Sequence, residues 1–205
     1  MDQLDLFNSP KSENERILIR NGKYLLIKQF FNKSLSDNYF RILLESIEWK
    51  QEKMNMYGKE LLFPRLTAWY GDNDKPYSFS GITLKSLEWT KELLDIKNQV
   101  ESKTDVIFNS VLLNRYRNGS DSISWHTDAE KELGLNPIIA SVNFGATREF
   151  QLRHKETKEK ISIELTHGSL LIMEGELQHY WQHQVPKTKK PVNERINLTF
   201  RVIKK

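Results

Sequence analysis

The sequence predicts an α+β fold, two helices followed by an all-β core closed as a sandwich or barrel, on three observations. Two stretches in the first half repeat apolar residues at helical spacing. The second half is a succession of short runs in which branched and aromatic residues alternate with polar ones, and turn residues separate the runs.

Residues 1–20 are polar, with Asn8-Ser9-Pro10-Lys11-Ser12 and scattered charges, and read as a loosely ordered lead-in to a single domain over 21–205. Gly22 to Phe31, GKYLLIKQFF, reads as a short strand. From Ser34 to Trp49 the apolar positions Phe40, Leu43, Leu44 and Ile47 share a helical face behind serine and aspartate start signals. A second helix is expected over Ser86–Gln99, where Leu87, Leu93, Leu94 and Ile96 share a face. The stretch between them, MNMYGKELLFPRLTAWYGDNDKPYSFSG, has too much glycine, proline and asparagine for a helix and reads as hairpins and loops. VIFNSVLLNRYR, IIASVNFGATREFQLRHK, KISIELTHGSLLIMEG, WQHQVP and ERINLTFRVI then carry the period-two pattern of strands.

A chain of 205 residues is long enough for one sizeable core and short for two. No apolar run approaches the ~20 residues a membrane helix needs, and the acidic start does not resemble a signal peptide, so an intracellular, cytoplasmic monomer away from membranes is expected. The absence of cysteine removes disulfides, thiolate metal sites and cysteine nucleophiles, leaving five histidines and the carboxylates as metal ligands. A net charge of +4 is a mild pointer to a polyanionic partner.

Trp125-His126-Thr127-Asp128 follows a strand-like run. Residues two apart on an extended chain point to one side, so His126 and Asp128 can converge on an ion; a polar surface turn explains the pair equally well. Two histidines and one carboxylate leave coordination positions open, which suits Fe(II) that must also bind a co-substrate and O₂. The second histidine must come from another strand, and His183 is the choice. His179, in the approach to that strand, and His167, before the turn-forming Gly168-Ser169, compete with it; His154, in the charged run RHKETKEK, is expected in solvent. In the last strand Arg195, Asn197, Thr199 and Arg201 lie on one face and Ile196, Leu198, Phe200 and Val202 on the other. Two arginines facing the lumen of a β core require anionic partners, which a dicarboxylate would supply through bidentate pairing; on an edge strand they would simply face water.

His126-x-Asp128, His183 and RINLTFR resemble the motif set of the AlkB-type Fe(II)- and 2-oxoglutarate-dependent dioxygenases that repair alkylated nucleic acid. The resemblance runs from about Phe63 to Val202 and includes PR at 64–65, YSFSG at 77–81, NRYRNGSDSISWHTDAE, IASVNFGATREF and HGSLLIM. It implies a double-stranded β-helix (jelly-roll) core, about 105–203, buttressed by the N-terminal helices, with a substrate-recognition lid at about 54–81. It implies Fe(II) on His126, Asp128 and His183. It implies 2-oxoglutarate held by Arg195, with Asn114, Tyr116, Asn197 and Arg201 completing the wall, and O₂ as oxidant. The implied reaction is oxidative demethylation of alkylated DNA, or RNA, at bases such as 1-methyladenine and 3-methylcytosine.

On the substrate side, chemistry on a base requires it to be held outside the stack between flat groups. Trp69, Tyr70, Tyr77 and Phe79 supply such groups beside Arg65, about half of them being expected in the core. The resemblance selects Tyr77 and Phe79 as base contacts and Glu130 as an acid near the base. Ala129 departs from relatives with a second acid there. Met56-Tyr57, at a hairpin tip, matches the place where duplex-acting members carry an apolar wedge.

Overall fold

The computed structural model describes residues 16–56, 59–72, 77–79, 82–84 and 86–204. The first strands are β1 (Ile17–Ile19) and β2 (Gly22–Ile27), followed by helix α1 (Lys33–Ser46). Asn32 starts α1, its side chain accepting from Leu35 N at 2.9 Å, and the helix stops where Ile47 turns extended. Thr90 caps helix α2 (Lys91–Glu101) in the same way, its hydroxyl accepting from Leu93 N at 3.2 Å. The second helix therefore begins five residues later than its periodicity predicts. Leu87, expected on its face, instead forms a bridge to Tyr70, and Leu94 is exposed; the buried stripe is Leu93, Ile96 and Val100.

Between the helices come β3 (Lys53–Met56), β4 (Lys59–Leu62), β5 (Leu66–Gly71), β6 (Tyr77–Phe79) and β7 (Ile82–Leu84). Strands β3 and β4 form one hairpin and β6 and β7 another, so the expected lid region is two hairpins separated by β5. After α2 follow β8 (Ser110–Tyr116), β9 (Ile123–His126), β10 (Ile139–Gly145), β11 (Arg148–His154), β12 (Lys160–Leu165) and β13 (Ser169–Glu174). The short helix α3 (Leu177–Tyr180), β14 (Trp181–Val185) and β15 (Arg195–Arg201) close the chain.

These strands make two facing antiparallel sheets. The larger runs β1-β2-β13-β10-β15-β8-β5 and the smaller β12-β11-β14-β9. The larger sheet has two buried faces, so its strands alternate between two kinds of burial. Ile196, Leu198 and Phe200 of β15 join Leu43, Ile47, Leu93 and Ile96 in a core under the helices. Leu112, Leu171 and Met173 join Phe150, Leu152 and Val185 of the smaller sheet in a second core between the sheets. Each such side chain, fully buried, contributes about 1.5–3 kcal/mol. The result is the α+β jelly roll expected, with the helices on the outside of one sheet. No helix among the described residues is long and apolar enough to cross a membrane.

Two local readings differ. Strand β2 ends at Ile27, and Phe31 lies in a turn where its N–H donates to Gly168 O at 3.0 Å. His154, expected in solvent, is fully buried at the end of β11. Its Nδ1 accepts from the N–H groups of Glu156 and Thr157, and its Nε2 meets Asn21 Oδ1, so the imidazole organises the turn that the charged residues decorate.

Candidate metal and dicarboxylate site

The antiparallel pairing of β9 with β14 places His126 directly opposite His183, their ring centroids 4.2 Å apart. The chain leaves β9 at His126, and Asp128 follows two residues on. One ligand atom from each of His126, Asp128 and His183 lies within 4.8 Å of the others, the grouping that the sequence singles out. His183 Nε2 stands 3.9 Å from Asp128 Oδ2. His126 Nδ1 lies 2.8 Å from Ser124 O; with the proton donated there, Nε2 keeps its lone pair for a metal.

The electrostatics favour the ligating forms. Asp128 is buried, which alone would raise its pKa, yet the Arg201 guanidinium and the two imidazoles hold it down to about 2. Arg201 Nη2 donates to Asp128 Oδ1 at 2.8 Å, a pair enclosed on both sides. Burial, reinforced by His126 and opposed by Asp128, pushes His183 down to about 3, and burial lowers His126 as well. Two neutral imidazoles and one carboxylate ion are the donor set that a divalent first-row metal takes. Phe150 backs His183, centroids 5.3 Å apart. Gln178, on α3, accepts from Asp128 N at 2.9 Å through its side-chain oxygen and fixes the backbone of that ligand. Nothing in the sequence marks this glutamine, because its role depends on α3 meeting the loop after β9.

One cavity joins these three residues to the polar face of β15. Asn114, Ser141, Arg195, Asn197, Thr199 and Arg201 form its polar wall, and Leu112, Ile123, Phe150, Met173 and Val185 its apolar wall. Arg195 is almost wholly buried; its Nη2 donates to Asn143 Oδ1, while Nε and Nη1 are buried without a hydrogen-bond partner among the described residues. Burial, with the charge of Arg148 adding to it, lowers its pKa to about 10. A buried guanidinium with unspent donors on the wall of this cavity fits a carboxylate.

The rest of the expected wall is present in differing capacities. Tyr116 lies under Arg195, whose guanidinium carbon is 4.9 Å from the ring centroid. Asn114 lines the cavity with its Oδ1 held by Arg65 Nε at 2.7 Å. Asn197 gives its amide hydrogens to Ser141 Oγ at 2.8 Å, Val142 O and Asn143 Oδ1, and its Oδ1 accepts from Thr199. It therefore ties β15 to β10 and shapes the wall. Ser141 and Asn143, which lie in the motif IASVNFGATREF but take no role from the sequence, belong to that network.

Of the substrate-side residues, Arg65 is buried behind Asn114, and Trp69 is buried in the inter-sheet core with Phe63 and Leu112. Glu130 is half-buried at the start of a 3₁₀ turn. Tyr57 lies outside the described residues, as do the side chains of Met56, Tyr77 and Phe79. His167 sits away from the cavity, paired with Asp37, and His179 is on α3.

A model of the 2OG-Fe(II) oxygenase superfamily matches residues 23–201. The chain is 45% identical over 192 residues to the bovine alpha-ketoglutarate-dependent dioxygenase alkB homolog 3, an alignment covering 89% of this chain and 66% of that protein. It thus spans just under two thirds of the length of that relative. To the mouse DNA oxidative demethylase ALKBH2 it is 38% identical over 204 residues, covering 94% of this chain and 85% of that one. Among solved structures, that of OsALKBH1 shares the fold with a TM-score of 0.59 at 17% identity, over 90% of this chain and 100% of the other. With a family model matched from the second strand to the last and a relative aligned along most of its own length, the chain belongs to the 2OG-Fe(II) oxygenase superfamily, in its AlkB-type branch.

Proposed function

We propose that this protein removes N-methyl groups from alkylated DNA bases, 1-methyladenine and 3-methylcytosine foremost, as a direct-reversal repair enzyme. One observation carries the reading: a two-histidine, one-carboxylate group, with Asp128 and His183 buried and His126 partly so, shares a cavity with Arg195, which has donors to spare. The names of the relatives, an alpha-ketoglutarate-dependent dioxygenase and a DNA oxidative demethylase, support the choice of chemistry and substrate. The catalytic domain spans 21–205, with its core over 105–203 and base recognition in the hairpin region 54–81.

When bound, Fe(II) with 2-oxoglutarate and O₂ supplies the oxidation that turns the methyl carbon into a hydroxymethyl group, lost as formaldehyde while the co-substrate leaves as succinate and CO₂. His126, Asp128 and His183 would hold the iron and leave its other positions open. Arg195, beside Tyr116 and Asn114, would grip the distal carboxylate of 2-oxoglutarate. Arg201 keeps Asp128 ionised and in place. Phe150, Ile123 and Val185 exclude water from the reacting side of the cavity. Glu130 and the hairpin aromatics Tyr77 and Phe79 are assigned to a cationic base, with Arg65 and Trp69 supporting that wall from within. Met56-Tyr57 is assigned to the gap left in a duplex. We take the protein to act as a cytoplasmic monomer, in keeping with a chain that has no cysteine.

The test is mass spectrometry of methylated oligonucleotides incubated with the protein, Fe(II), 2-oxoglutarate and air. Single-stranded DNA, duplex DNA and RNA run in parallel, with His183→Ala as control. Methyl loss that needs every component and vanishes in the variant is expected. Succinate formation with no methyl loss on any strand would overturn the substrate and leave the oxygenase; methyl loss on RNA alone would move the substrate class.

A further inference from the structure

Outside the cavity, a heavily engaged buried cation is Arg148, the first residue of β11, which is 4% exposed. Its Nη1 donates to Asn118 O at 3.2 Å, and its Nη2 donates to Asp121 O at 3.0 Å and Pro186 O at 2.6 Å. Those carbonyls belong to two loops. Residues 117–122 link Tyr116 at the end of β8 to the strand that delivers His126, and Pro186 follows directly on the strand that delivers His183. A second link lies beside the first: Thr188 N donates to Gly119 O at 2.9 Å, and a Cβ on Gly119 would stand only 2.4 Å from Thr188 O.

The guanidinium of Arg148 also faces the ring of Tyr116, 5.6 Å from its centroid, while that of Arg195 lies 4.9 Å from the same centroid. The carboxylate of Asp121, in the first of the two loops, gives both oxygens to Arg117, at 2.8 and 2.9 Å. Arg148 thus makes its hydrogen bonds with carbonyl oxygens; Asp121, committed to Arg117, also attracts it through space, and its charge is still felt at the ring and, across it, at Arg195. Two cations beside one aromatic ring repel each other, and an anion taken up next to Arg195 relieves that repulsion.

We infer that Arg148 is a positioning residue for the dicarboxylate co-substrate: by fixing Tyr116 and joining the two loops it raises affinity for 2-oxoglutarate without touching it. The inference rests on the assignment of Arg195 and Tyr116 to that co-substrate. A cation–aromatic contact of this kind is worth about 0.5–2 kcal/mol, hence roughly 2- to 30-fold in affinity.

The experiment is anaerobic calorimetry of the full chain loaded with Mn(II), titrated with 2-oxoglutarate, for wild type, Arg148→Met and Arg148→Lys. The Mn(II) affinity of each is measured beforehand. Weaker 2-oxoglutarate binding by a factor of roughly 2–30 in Arg148→Met, partly recovered in Arg148→Lys, with Mn(II) affinity unchanged, supports the inference; in turnover the same variants raise KM for 2-oxoglutarate more than they lower kcat. Equal 2-oxoglutarate affinity in all three, with only the melting temperature lowered, overturns it and makes Arg148 a loop staple. Should Arg148→Met fail to fold, Gly119→Ala spreads the same two loops with Arg148 in place, and unchanged 2-oxoglutarate affinity there overturns the inference equally. A wild-type protein that binds Mn(II) and no 2-oxoglutarate overturns the underlying site assignment, an outcome distinct from the others.

Discussion

Replacing Arg195 by methionine separates what this residue does for the fold from what it does for the co-substrate. Holding a guanidinium in this cavity lowers its pKa from the ordinary arginine value to about 10, a cost of about 3 kcal/mol to the folded protein without ligand. Methionine removes that cost together with the bond to Asn143, worth about 1 kcal/mol, and the contact with Tyr116, worth about 0.5–2 kcal/mol. Asn143 Oδ1 keeps its other donor, Asn197 Nδ2 at 3.2 Å. The balance predicts a ligand-free Arg195→Met whose stability lies between that of wild type and about 1.5 kcal/mol above it. Loss of a partner from a buried ion pair would instead cost about 3–5 kcal/mol.

Co-substrate reverses the order. With Mn(II) in place of iron and 2-oxoglutarate at about 100 times its Kd, wild type gains about 2.7 kcal/mol, or about 5–11 °C in Tm for a chain of this size. Loss of a charge-paired fork costs about 2–5 kcal/mol of binding and leaves the variant with less than about 1 kcal/mol of that gain. Anaerobic thermal melts with and without 2-oxoglutarate read both numbers. A variant that melts far below wild type when ligand-free, yet shifts as much with 2-oxoglutarate, would refute the assignment of Arg195.

Gln178→Leu leaves the buried N–H of Asp128 without its acceptor. Metal affinity is expected to drop about 10- to 100-fold, read by Co(II) absorption titration, and an unchanged titration curve would show that the loop holds Asp128 unaided. Asp121 keeps a depressed pKa because its bonds to Arg117 outweigh its burial. With the folded value below the unfolded one of about 3.9, that stabilisation is whole above it and fades as pH falls through the folded value. Melts of wild type and Asp121→Asn should therefore differ most at about pH 6 and converge as pH falls through the folded value; a constant gap would argue against the ion pair. Lys187, Lys189 and Lys190 are exposed on the loop between β14 and β15. Changing all three to glutamine should reduce the salt dependence of DNA binding by about 0.9 in log–log slope for each phosphate they neutralise in the wild type, and an identical slope would remove this loop from the interface.

The parts of the molecule legible in its sequence are those governed by short-range periodicity. The alternation of Arg195, Asn197, Thr199 and Arg201 with Ile196, Leu198 and Phe200 sets the two faces of β15, and both faces are where that pattern places them. His126-x-Asp128 is likewise local. Its partner His183 is chosen among five histidines by setting its strand position against the turn-like settings of its competitors and is reinforced by the motif resemblance, since pairing of β9 with β14 is a long-range fact. The roles of Gln178, Ser141 and Arg148 go unassigned in the sequence for the same reason, although the last two lie within the motif IASVNFGATREF: each acts through a contact between elements far apart in the chain. Two of the departures from expectation, His154 and the start of α2, have a common cause. Charged neighbours and apolar spacing describe the average environment of a segment, whereas a buried imidazole accepting two backbone N–H groups, or a threonine cap at residue 90, is decided by single hydrogen bonds.

Among the described residues, the hairpins β3–β4 and β6–β7 form two-stranded sheets of their own, on either side of β5, which is the edge strand of the larger sheet. Sequence change in either hairpin therefore leaves every backbone hydrogen bond of the eleven strands in the two main sheets intact. If these hairpins recognise the base, as proposed, substrate scope can drift, or be re-engineered by exchanging hairpins between relatives, with the metal and dicarboxylate cavity carried along unaltered: recognition is then an interchangeable part.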